Sequence, residues 1–164
     1  MNHPFDILPL DNGAAFIFTP CPGTKQVELK TSLEQLAAAG ATAVLTLMEN
    51  EEMERNKVTD LPHLCAELNL QWFHLPIEDD HAPEQEFAVA WQVASKKIHA
   101  LLDSGKTIAI HCKGGSGRTG LVAAQILIER GMPLDTVTEQ IRALRPNSLQ
   151  VPAQQTYIKT IAGN

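Results

Sequence analysis

The segment His111-Cys-Lys-Gly-Gly-Ser-Gly-Arg-Thr-Gly120 sets a thiol and a guanidinium at the two ends of a glycine-rich turn. Gly114, Gly115 and Gly117 lie between Cys112 and Arg118, so the backbone can turn tightly and aim several amide hydrogens at one centre. A helix beginning near Thr119 would add the positive end of its dipole, which favours a phosphate or a thiolate at the loop centre. Arg118 can grip two phosphate oxygens with its planar fork and stays charged at any relevant pH. Together these groups suit thiolate attack on a bound phosphate ester.

Cysteine is a sensible nucleophile only in such a field, because a free thiol with a pKa near 8.5 is about three per cent ionised at neutral pH. The loop residues Lys113, Gly114, Gly115, Ser116, Gly117 and Arg118 would form the phosphate cradle, with Lys113 at its rim. The hydroxyl of Thr119 is placed to donate to the sulfur. His111 is expected to orient the loop by hydrogen bonds, since a preformed thiolate needs no base. The ATP-binding type of glycine loop is a poorer match, because it ends in Gly-Lys-Ser/Thr and Arg118 stands where that lysine would be.

Expelling an alkoxide or phenolate also requires a proton on the leaving oxygen, so a carboxylic acid should sit in a loop able to cover the site. Pro76-Ile-Glu-Asp-Asp-His-Ala-Pro83 offers Glu78, Asp79 and Asp80. Without the cysteine loop, these would read as a solvated acidic turn before a helix.

The elements that must position these groups follow from apolar periodicity. Strands are expected at Ala14 to Phe18, Ala43 to Leu47, Gln71 to Leu75 and Thr107 to Ile110. Helices are expected from Thr31 or Ser32 to Gly40, over Leu61 to Leu68, Glu84 to Leu102 and Thr119 to Arg130, around Leu134 to Leu144, and over Gln154 to Ile161. The polar run Glu49 to Lys57 reads as a loop or exposed turn. Phe87 and Trp91 fit a core stripe, and Trp72, Phe73 and His74 a buried strand. Strands alternating with helices predict an α/β fold: a central sheet of about four to five strands flanked by helices, with the cysteine loop between a strand and a helix.

A chain of 164 residues with 44% apolar content suits one domain over residues 1–164. The formal charge of −6 and a pI near 5.4 argue against nucleic acid or an anionic membrane as a partner. No apolar run is long enough to span a bilayer, so no membrane insertion is expected. Cys21, Cys65 and Cys112 are few and spread out, which fits a reducing, cytoplasmic setting, and the six histidines show no ligand spacing, so no metal is expected.

The sequence His-Cys, five residues, Arg, Thr resembles the signature of the protein tyrosine and dual-specificity phosphatase superfamily, with further resemblance to its compact dual-specificity members from about Val44 to Ile158. The resemblance implies a cysteinyl-phosphate intermediate, no metal or other cofactor, and a phosphorylated protein as substrate. It places the general acid at Asp79, because a Pro-hydrophobic-x-Asp segment followed by a proline marks that residue in these enzymes. It also implies a water-positioning glutamine after the last helices, for which Gln150 and Gln154 are the candidates. A phosphoinositide substrate remains an alternative, disfavoured by Ser116 and the acidic charge, as does a non-catalytic phosphoprotein-binding module.

Overall fold

The computed structural model describes residues 1–163. Five strands, β1 (Asp6–Pro9), β2 (Ala15–Thr19), β3 (Ala41–Thr46), β4 (Gln71–His74) and β5 (Thr107–His111), form one sheet in the order β1-β2-β5-β3-β4. Only β1 runs antiparallel to its neighbour. The central strand β5 carries the cysteine loop at its carboxyl end. Its Ile108, Ala109 and Ile110 are fully buried, as a parallel strand covered on both faces requires.

Among the described residues seven α-helices cover the sheet: α1 (Leu29–Ala38), α2 (Asn50–Arg55), α3 (Leu61–Glu67), α4 (Gln85–Asp103), α5 (Gly117–Glu129), α6 (Leu134–Leu144) and α7 (Pro152–Ala162). The pleat of β5 divides its side chains between two cores. Ile108 and Ile110 join Phe87, Ile98, Leu121, Val137 and Ile158 from α4 to α7. Ala109 joins Leu33, Leu36, Met53, Leu61 and Cys65 from α1 to α3. The α/β sheet with helices on both faces is the expected architecture.

The structure departs from expectation at α2, at β1 and at β4, whose Trp72, Phe73 and His74 are half-buried rather than buried. The run Glu49 to Lys57 is no exposed turn: it contains α2, whose Glu52 and Met53 are buried. One apolar residue in that turn is too weak a signal for periodicity, and the helix is anchored instead by the ion pair that Glu52 makes. The edge strand β1 was also not expected. It is four residues long and buries only Leu8, so it shows no alternation to read.

Candidate active site

The cysteine loop is built by close backbone contact. Gly115 has φ +83, and a Cβ there would lie 2.6 Å from the backbone of Thr19 at the end of β2, so this turn requires glycine twice over. The bend sends the Gly115 amide back to Cys112 Sγ at 3.2 Å, and the Thr119 hydroxyl, in the first turn of α5, donates to the same sulfur at 3.2 Å. Cys112 is 3% exposed. The loop is braced from outside by Ser148, whose hydroxyl donates to the Ser116 carbonyl at 2.7 Å. Gly120 permits this approach, since a Cβ on it would meet Ser148 at 2.5 Å.

His111 is fully buried, and that burial pushes its pKa down to about 4. The neutral ring completes a polar chain. Trp72 Nε1 donates to Thr46 Oγ1 at 2.7 Å, Thr46 meets His111 Nε2 at 2.7 Å, and His111 Nδ1 lies 3.1 Å from the Cys112 carbonyl. A carbonyl can only accept, so the proton sits on Nδ1 and Nε2 takes the Thr46 hydrogen. The histidine thus ties β3 and β4 to the cysteine backbone.

Arg118 is 1% exposed, and its guanidinium is gripped end-on by Glu52, Nη1 to Oε1 and Nη2 to Oε2, both at 2.7 Å. Nη1 also donates to the Ile77 carbonyl at 3.0 Å. Burial works against the charge of Glu52, but the Arg118 hydrogen bonds and charge outweigh it and hold that carboxyl below the usual range. The other edge of the guanidinium, Nε, has no hydrogen-bond partner. That Nε–H and the neighbouring Nη2 hydrogen form the side-on fork that suits two oxygens of one phosphate.

Asp79 faces this edge, with Oδ1 3.5 Å from Arg118 Nε. Glu78 is engaged elsewhere, with Oε2 2.7 Å from His81 Nε2, and Asp80 occupies the turn at φ 63. Of the three acids the loop brings Asp79 to the guanidinium. Gln154 is buried, and its side-chain amide donates to the His81 carbonyl at 3.1 Å, so α7 touches the acidic loop. Gln150 is exposed and folds back on the Pro146 carbonyl. Lys113 is exposed on the loop, and its carbonyl accepts from the Cys21 amide at 3.0 Å. Burial pushes the Cys21 and Cys65 thiols up to about 12, which makes both poor nucleophiles beside Cys112. Phe87 is buried and stacks on the half-buried Trp91, a core role for both.

Sequence reasoning missed Glu52, Ser148 and Thr46. The one available signal was for Glu52: an arginine buried behind the loop needs a counter-charge, and the acidic run Glu49 to Glu54 was left without a role.

Comparison with known proteins places these features in context. The family model described as "Tc-R-P: Polymorphic toxin system, DSP-PTPase phosphatase" matches residues 22–132. Cyclin-dependent kinase inhibitor 3 of Rattus norvegicus is 29% identical over 111 residues, 65% of this chain and 51% of the relative, so the chain matches about half the length of that protein. Protein tyrosine phosphatase type IVA 3 of Mus musculus is 26% identical over 163 residues, 97% of this chain and 85% of the relative. A crystal structure of kinase associated phosphatase, with its catalytic cysteine replaced by serine, superposes with a TM-score of 0.83 at 20% identity, covering 100% of this chain and 98% of the other. The last comparison speaks to the fold.

Proposed function

We infer the activity from the family: the chain belongs to the DSP-PTPase phosphatases of polymorphic toxin systems, whose model spans residues 22–132, and we propose that it hydrolyses phosphomonoesters on proteins through a cysteinyl-phosphate. The observation that carries this reading is the Nε edge of Arg118, which has no hydrogen-bond partner and faces Asp79, on the loop that also aims two donors at Cys112 Sγ.

In the first step the Cys112 thiolate attacks phosphorus in line. The S–P bond forms, the P–O bond to the leaving group breaks, and Asp79 supplies the proton that leaves with the alcohol or phenol. Arg118 and the amides of residues 113–118 hold the equatorial oxygens. In the second step Asp79 takes a proton from water as that water attacks phosphorus, and Gln154, already touching the acidic loop, positions it. The S–P bond breaks, inorganic phosphate leaves, and Thr119 donates to the returning thiolate. Gln150, whose side chain is held on the Pro146 carbonyl, is given no step in this scheme. We assign this chemistry to a single phosphatase domain of residues 1–164 working in the reducing cytoplasm.

The test is phosphate release from a phosphopeptide and an aryl phosphate under reducing conditions. Cys112→Ser and Arg118→Ala should abolish turnover, and Asp79→Ala should lower it by about a hundredfold on the phosphopeptide, with a smaller loss on an aryl phosphate whose leaving group needs little protonation. Phosphopeptide binding through Arg118 without any release by the unaltered protein would instead make it a binding module.

A further inference from the structure

The turn that carries Asp79 is held by a histidine whose two ring nitrogens both face acceptors. His81 Nδ1 lies 2.8 Å from the Asp79 carbonyl oxygen, and Nε2 lies 2.7 Å from the Glu78 carboxylate. A neutral imidazole has one N–H and can satisfy only one of them; an imidazolium satisfies both. The histidine amide closes the same turn on the Glu78 carbonyl at 3.1 Å, Asp80 between them has φ 63, and the His81 carbonyl receives the Gln154 amide from α7 at 3.1 Å. The ring therefore spans the two residues before Asp80, and Asp79 is one of them.

We propose that His81, as the imidazolium, is a positioning residue that pins the acidic turn and holds the Asp79 carboxyl over the Arg118 edge, which makes the general acid's placement depend on pH. This rests on the cysteine-phosphatase reading for its catalytic consequence. The structural half stands without it.

The groups that face the ring agree in sign. The Asp79 carbonyl hydrogen bond raises the His81 pKa most; desolvation, the next influence, lowers it, and the charges of Glu78, Glu84 and Asp80 raise it, so the net shift is upward. Beyond Glu78, Glu49 at the start of α2 adds to the same acidic field, Glu84 stands at the start of α4, and α7 contributes the neutral Gln154. A histidine whose folded pKa is raised adds its stabilisation fully below the unfolded value near 6.5 and loses it as pH rises through the folded value. The pin is thus set in mildly acid solution and slackens as the ring deprotonates. His81 is exposed, so solvent limits the effect to about two- to fivefold in rate.

The experiment has two arms. In the full-length Cys112→Ser protein, the imidazole resonances of His81 are followed by NMR against pH. The proposal expects a midpoint above the ordinary histidine value that moves down in a Glu78→Gln background. A midpoint at or below the ordinary value, or one unmoved by Glu78→Gln, overturns it whether or not the protein is a phosphatase. In the otherwise unaltered protein, His81→Asn is compared with wild type on a phosphoserine peptide and on an aryl phosphate with a good leaving group. The expected loss is about two- to fivefold in kcat on the peptide, little on the aryl ester, greatest below the His81 midpoint and vanishing above it. Equal loss on both substrates, or a ratio constant with pH, would mean that His81 only supports the fold.

Discussion

Arg118 and Glu52 form the buried ion pair on which the site depends, and what matters is which edge of the guanidinium each partner takes. Glu52 and the Ile77 carbonyl occupy the far end, so the arginine is charge-compensated and fixed while its Nε edge, without a hydrogen bond, faces Asp79. Removing one partner of a buried pair costs about 3–5 kcal/mol, because the survivor is left uncompensated. Glu52→Ala should therefore lower unfolding stability by about that amount. Inorganic phosphate, by supplying the missing negative charge, should raise the variant's denaturation midpoint more than the wild type's. Equal stabilisation of both proteins by phosphate would show that the guanidinium is not the group they share. The pair also carries a pH sign. The folded pKa of Glu52 is depressed, so its stabilisation is complete above the unfolded value near 4.3 and is lost as pH falls through the lower folded value.

Among the elements, the junction of β5 and α5 does most of the positioning, and it is held by small residues rather than large ones. Gly115 lets the loop lie against the end of β2, and Gly120 lets α5 lie against Ser148, whose hydroxyl braces the Ser116 carbonyl. A methyl group at position 120 would sit 2.5 Å from the Ser148 side chain and force it away. Gly120→Ala should then cost about 1–3 kcal/mol of stability, as overpacking does, and should weaken phosphate binding because the brace opens. The two effects are read by chemical denaturation and by phosphate titration. A variant that loses stability yet binds phosphate as wild type does would remove Ser148 from the account of the loop. The acidic turn is the complementary element, tied to α7 by one amide, to itself by His81 and to Arg118 through Asp79.

In the whole molecule, the site sits at the carboxyl end of the central parallel strand, where the two cores meet beneath it and helices from both faces reach the loop. That arrangement was legible in the sequence to the extent that it rests on apolar periodicity: β5, α4 and α5 bury Ile108, Ile110, Phe87, Ile98 and Leu121 at strand or helix spacing. The grouping of Cys112, Arg118 and Thr119 was legible because it is local, all three lying within eight residues of chain. What could not be read joins residues far apart for polar reasons. Glu52 and Arg118 are 66 positions apart, Ser148 and Ser116 are 32 apart, and Gln154 and His81 are 73 apart. No periodicity encodes such pairs, and α2 was misread as a loop because its burial comes from an ion pair rather than an apolar stripe. The central claim is that Cys112 takes the phosphoryl group. It is tested most directly by mixing the protein with a phosphorylated substrate, quenching in acid during turnover, and locating phosphate by peptide mass spectrometry. The account predicts a phosphoryl adduct on the peptide bearing Cys112, absent in Cys112→Ser; phosphate release with no adduct there, or release that survives Cys112→Ser, would contradict it.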